Sequence, residues 1–252
     1  MKTSTVNLLI AILSLCTAAC SHNSQFKKAS PQVSAATNMQ LAIEYMKLGK
    51  LASSRDFIER ALRENPGSAD VQMTAGIVYE RLNDMPKAAR AYENAFRQGK
   101  GDPNVENTYA GFLCRTGKSA AGEKLFTEVA ASPLYQTPEV ALLNAGVCVH
   151  EAGDVVDAER YFNKALDIHP NMAEALLQLG NIAFDRGDAA QARDMVQRSL
   201  AVNPPTSEIL WLGFRAERKL GDATAAAAEA RRGQAAGPNS AHARMLRSGI
   251  DR

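Results

Sequence analysis

The sequence is poor in aromatic residues, which make up 6% of its 252 positions and include one tryptophan. Sheets draw on aromatic and β-branched side chains, so this shortage argues against a β architecture. Alanine is abundant, which suits closely packed helices. A dominant charge is also missing. Lys and Arg number 29 against 27 Asp and Glu, for a formal net charge of +2. Lys2 is the one charged residue in the first nineteen, so the remainder carries +1. Without a basic field, nucleic acid is excluded as a partner.

The residue patterns that carry catalysis are lacking too. His22, His150, His169 and His242 are scattered, and none shows the i, i+4 pairing of a helical zinc site. Gly99 and Gly101 are not followed by the Gly-Lys-Ser of a phosphate loop. No nucleophile elbow is present. Asp154 and Asp157 read as first-turn carboxylates that the helix dipole favours. The chain is therefore expected to be neither an enzyme nor a metal or cofactor carrier.

Long apolar runs are absent as well. The longest, Val6 to Leu15, is too short for a bilayer, which needs roughly 20 residues. It follows Lys2 and precedes the small residues Thr17, Ala18 and Ala19, as in a secretory signal peptide over 1–19. A buried N-terminal helix is the plainer alternative. The polar stretch Ser21 to Ser34, which shows no helical stripe, argues against it. Thr17-Ala18-Ala19-Cys20 resembles the lipobox of bacterial lipoproteins, although Thr17 stands where Leu is usual. The resemblance implies acylation of Cys20, then a flexible linker over 20–34. Ordinary cleavage nearby, giving a soluble periplasmic protein, is the alternative. No aspartate follows Cys20, which implies the periplasmic face of the outer membrane.

What the sequence does have is a repeat. Turn residues recur at Gly49, Asn83, Gly117, Gly153, Gly187 and Gly221, and prolines at Pro66, Pro170, Pro204 and Pro238. The period is 34 apart from one two-residue insertion, Ser132 to Pro138, between units three and four. That period is the one of tetratricopeptide helical hairpins. The units run 35–68, 69–102, 103–138, 139–172, 173–206 and 207–238, with a cap or tail at 239–252. Small residues hold the eighth position (Ala42, Gly76, Ala110, Gly146, Gly180) and large ones the twenty-fourth (Ile58, Tyr92, Phe126, Phe162, Val196). The expectation is all-α: an α-solenoid of about six hairpins in a right-handed superhelix. The sixth unit departs from the pattern, with Phe214 at the small position and Ala230 at the large one, and with the tail reads as the polar cap such arrays need.

Two further cysteines, Cys114 and Cys148, fall on first helices of adjacent units. In an oxidising periplasm they are expected to form a disulfide. Two small buried apolar residues is the alternative. First-helix positions 2, 5, 9, 12 and 13 face the concave groove. Met39, Ile43, Met46, Met73 and Ile77, with Leu143 and Val147 offered by unit four, make its N-terminal half apolar and methionine-rich, a surface suited to a protein partner. Packing under the linker or against the next helix is the competing reading. Trp211, Arg215, Arg218 and Lys219 occupy the same positions in unit six.

Asn107-Thr-Tyr-Ala-Gly-Phe-Leu-Cys114, Asn144-Ala-Gly-Val-Cys148 and the leader ending at Cys20 go beyond the generic repeat. With six repeats they resemble the type IV pilus biogenesis lipoproteins, the pilotin family of PilF/PilW. Ala110 replaces that family's usual glycine. The resemblance implies a monomeric outer-membrane lipoprotein whose partner is the secretin subunit, the ring through which a pilus exits. The alternatives are a periplasmic repeat-lipoprotein scaffold or regulator of cell-envelope synthesis enzymes and, more remotely, an accessory subunit of an export machine.

Overall fold

The computed structural model describes residues 30–250, with side chains to Ser248. Residues 1–29, and with them the leader and Cys20, lie outside the described residues. Thirteen helices and no strand occur among the described residues. Six hairpins form in chain order. They are α1 (Pro31–Lys47) with α2 (Leu51–Glu64), α3 (Ala69–Arg81) with α4 (Met85–Gln98), and α5 (Pro103–Arg115) with α6 (Ser119–Ala131). They continue as α7 (Pro138–Glu151) with α8 (Val155–Ile168), α9 (Ala173–Asp185) with α10 (Ala189–Val202), and α11 (Ser207–Leu220) with α12 (Ala223–Ala236). A final helix, α13 (Ala241–Ile250), packs on both α11 and α12.

One device makes every hairpin turn. Gly49, Asn83, Gly117, Gly153, Gly187 and Gly221 all have positive φ, between 59° and 99°. The next residue then donates its N–H back over the turn, as Lys50 does to Tyr45 O (2.9 Å) and Asp154 to Val149 O (2.9 Å). This left-handed cap satisfies carbonyls that the ending helix would leave bare. Glycine or asparagine is needed because a Cβ makes that conformation costly. In four of the six turns the same residue is an aspartate (Asp84, Asp154, Asp188 and Asp222), whose carboxylate caps the second helix. Asp154 is thus a cap, and Asp157 sits in the first turn behind it.

Within a hairpin the small position lies against the large one. A Cβ added to Gly146 would meet the Phe162 ring, and one added to Gly76 the Tyr92 ring. In the first hairpin Ser54 Oγ donates to Ala42 O at 2.7 Å, so even the buried hydroxyl at this crossing is satisfied. The two-residue insertion leaves the stack intact, with α6 and α7 packed directly together.

Three features differ from the sequence reading. Helix α1 starts at Pro31, inside the expected linker. Ser30 accepts from Val33 N, and proline fits the first helical position because its missing N–H is not needed there. The tail is also helical. Ala243 and Leu246 are fully buried, and Leu246 packs against Gly233 of α12. Finally, the sixth unit is well packed. Its large residue, Phe214, and its small one, Ala230, have exchanged helices and share one buried cluster with Leu246. The exchange conserves volume, which a core tolerates.

Candidate functional site

The first helices α3, α5 and α7 enclose a cleft of about 570 Å³ at the centre of the array. Helix α3 contributes Ile77, Glu80 and Arg81; α5 contributes Asn107, Gly111 and Arg115; α7 contributes Asn144, Val147 and Glu151. These fall at or beside the groove-lining positions of their units, so the cleft is a segment of the concave groove. Tyr92 and Phe126, the large residues of the second helices, reach it from below. Its lining is mixed, with apolar Ile77 and Val147 set among amides and charges.

One wall is locked by a three-residue network. Arg115 grips Glu80 with two hydrogen bonds, Nε to Oε1 at 2.6 Å and Nη2 to Oε2 at 3.0 Å. Tyr92 adds its hydroxyl to Glu80 Oε2 at 2.8 Å. Burial alone would push the Glu80 carboxyl upward. The bonds from Arg115 and Tyr92 outweigh that and hold it below its ordinary value. The same contact raises the Arg115 guanidinium, and burial followed by the Glu80 hydrogen bond raises the Tyr92 phenol. All three groups keep their usual charge at neutral pH. The network ties α3 to α5 across a repeat boundary.

Two carboxamides stand beside it. Asn144 Nδ2 donates to Asn107 Oδ1 at 3.4 Å, leaving further donor and acceptor capacity on both. Such groups match the N–H and C=O of a peptide laid in the groove. Beneath them lie Cys114, half-buried, and Cys148, 2% exposed, with Cα atoms 5.5 Å apart and sulfurs at bonding distance. The two cysteines lie where α5 and α7 stand side by side across the insertion.

The sequence-derived groove residues occupy a different stretch. Met39, Ile43, Met46, Met73 and Ile77 are all half-buried. Met39, Met46 and Ile77 pack against the buried cluster of the first two hairpins, so their apolar character serves that core in part. Ile77 alone of the five also lines the central cleft. Sequence reasoning passed over Asn107, Asn144, Glu80 and Arg115 as site residues. Asn107 and Asn144 opened the two segments that carried the family resemblance. Their separation of 37 instead of 34 hides that they face each other.

Beyond the cleft, the lining at the fifth and ninth positions continues to the end of the array. Leu143, then Leu177 and Asn181, then Trp211 and Arg215 are all half-buried. No helix among the described residues is long and apolar enough to cross a membrane.

Comparison with known proteins agrees with this geometry. Models of the tetratricopeptide repeat match residues 39–103, 113–173 and 149–217. The type IV pilus assembly protein PilF of Pseudomonas aeruginosa is 23% identical over 133 residues. That match spans 53% of this chain and 53% of the relative, about half the length of each. The crystal structure of PilW, a widely conserved type IV pilus biogenesis factor, superposes with a TM-score of 0.70 at 27% identity, covering 84% of this chain and 97% of that one. The structure of Pseudomonas aeruginosa PilF superposes with a TM-score of 0.67 at 19% identity, covering 88% and 100%, a likeness of fold. Repeat models that together match well over half of the chain, on a solenoid of six hairpins, establish that it belongs to the tetratricopeptide repeat family and resembles the type IV pilus biogenesis proteins of that family.

Proposed function

We propose that this protein is a pilotin-type lipoprotein. Anchored through Cys20 at the periplasmic face of the outer membrane, it holds a segment of a secretin subunit in its concave groove and so assists secretin assembly and type IV pilus biogenesis. The observation that carries this reading is the likeness to PilW, which extends over nearly all of that protein. The groove suits the task. It is continuous over six hairpins, half-buried along its length, and offers amides at its centre and apolar side chains on either side. A groove of this kind binds an extended segment or an amphipathic helix.

In the same reading Cys114 and Cys148 form a disulfide in the oxidising periplasm, bracing the groove floor where the insertion interrupts the repeat. Two or more acyl chains on Cys20 supply stable anchoring, which one chain does not.

The test is affinity isolation of the full chain from detergent-solubilised envelopes, with Cys20→Ser as a parallel variant. Recovery of a secretin subunit, together with release of Cys20→Ser from membranes, supports the proposal. Recovery of a peptidoglycan-synthesis enzyme instead would favour an envelope scaffold. A Cys20→Ser protein that still fractionates with membranes as wild type does would overturn the anchor.

A further inference from the structure

The C-terminal end of the groove differs in chemistry from the rest. On α11, Trp211, Arg215, Arg218 and Lys219 follow one another at i, i+4, i+7 and i+8, which places them on one face. That face is turned toward Phe184 of α9. The Arg215 guanidinium lies 4.0 Å from the Phe184 ring centroid, and Lys219 Nζ lies 5.2 Å from it. Arg218 sits over Phe214, which stacks with Trp211 at 5.5 Å between ring centroids.

Two inter-repeat arginines elsewhere in the array are neutralised. Arg115 pairs with Glu80 at 2.6 Å and Arg186 with Glu159 at 3.0 Å. At this end Arg215 reaches only Asp185, at 3.5 Å, and that carboxylate is 72% exposed. Among the described residues, Arg218 and Lys219 have no carboxylate within ion-pair distance. A guanidinium stacked on an aromatic face keeps its in-plane N–H donors free and is already ordered, so little entropy is lost when an anion arrives.

We propose that this end of the groove is a carboxylate seat, which takes a glutamate- or aspartate-rich segment of the partner protein and thereby fixes the direction in which that partner lies along the array. The proposal rests on the groove being a protein-binding surface and adds what chemistry it selects. Three cations with at most one exposed counter-charge set the sign. The aromatic wall sets the occupant. Trp211 and Phe184 are half-buried and recessed, while Arg218 and Lys219 are exposed. This shape admits a chain laid into the groove. A membrane contact would need protruding apolar side chains.

Trp211 is the sole tryptophan of the chain and reports on the seat directly. Three probes are used at low ionic strength: a labelled peptide of alternating glutamate and leucine and its lysine counterpart, added to the full chain in detergent, and phosphatidylglycerol vesicles, added to the full-length Cys20→Ser variant without detergent. The acidic peptide should bind, perturb Trp211 emission and be released by about 0.5 M salt, where charges are screened over a few ångströms. The lysine peptide should not bind. Arg215→Gln with Arg218→Gln should weaken binding by about tenfold or more, since charge-assisted hydrogen bonds are lost. If that variant fails to melt cooperatively, Arg218→Gln with Lys219→Gln, both at exposed positions, replaces it. Equal binding of the two peptides, unchanged affinity in the variant, or a Trp211 response to vesicles alone would each overturn the seat. Secretin recovery by a chain that ignores the acidic peptide removes the seat and leaves the pilotin reading standing. Acidic-peptide binding without secretin recovery does the reverse.

Discussion

Gly76 and Tyr92 are pressed together so closely that a Cβ on Gly76 would stand 2.8 Å from Cδ1 of the ring. Tyr92 is 1% exposed, and its hydroxyl is held by Glu80 across the hairpin, so the ring has nowhere to retreat. The absence of a side chain at residue 76 therefore sets how near α3 and α4 approach and how Tyr92 enters the cleft.

Gly76→Ala should accordingly destabilise the protein. Alanine gains about 1 kcal/mol over glycine in a helix interior, but overpacking a closed core costs about 1–3 kcal/mol. A lower thermal midpoint is expected. In a Tyr92→Leu background the penalty should shrink, because the obstructing ring is gone. A penalty of equal size in both backgrounds would show that the ring is not its cause.

Cys114 and Cys148, 34 residues apart, should resist thiol labelling in the mature protein under denaturing, non-reducing conditions. Reduction, or Cys148→Ser, should lower stability by about 2–4 kcal/mol. Two labelled thiols in wild type would refute the bridge.

Glu80 gives a pH signature. Its folded-state carboxyl lies below the ordinary value, since the bonds from Arg115 and Tyr92 overcome the effect of burial. A depressed carboxyl contributes stability that is present above its unfolded value and lost as pH falls through the folded one. Glu80→Gln should thus cost about 1 kcal/mol at neutral pH, the upper end for a partly exposed ion pair. The gap from wild type should close in the acid range below the ordinary glutamate value. A gap that stays constant down to that range would mean the carboxylate's charge is not what matters.

Ile43 and Met73 are the two members of the methionine-rich patch that do not pack against the buried cluster of the first two hairpins. Ile43→Glu with Met73→Glu should therefore leave the fold intact while abolishing pilus assembly. Burying one such side chain under a partner is worth about 1.5–3 kcal/mol. Normal piliation by a folded double variant would move partner binding to the central cleft and the C-terminal seat. Unfolding of the first two hairpins would assign both residues to the core.

Much of this molecule is written locally. A turn needs a residue that tolerates positive φ, and the crossing of two helices needs a small side chain opposite a large one. Both requirements act over a few residues or one hairpin. Gly49, Asn83, Gly153 and their equivalents, and the Gly146–Phe162 pairing, were legible for that reason. The start of α1 at Pro31 and the helical tail were missed because each lies outside the period. Leu246 is buried only because Gly233 leaves room for it.

The sequence by itself determined the period, the left-handed turns, the alternation of small and large positions and the candidate cysteine pair. Tertiary structure alone decided how residues from successive units meet. Arg115 reaches Glu80 over 35 residues, Asn144 reaches Asn107 over 37, and Arg215 reaches Phe184 from the next unit. The physical reason is that such contacts depend on the rotation from one hairpin to the next. That rotation is set by all the side chains packed between the hairpins, so no single stretch of sequence encodes it.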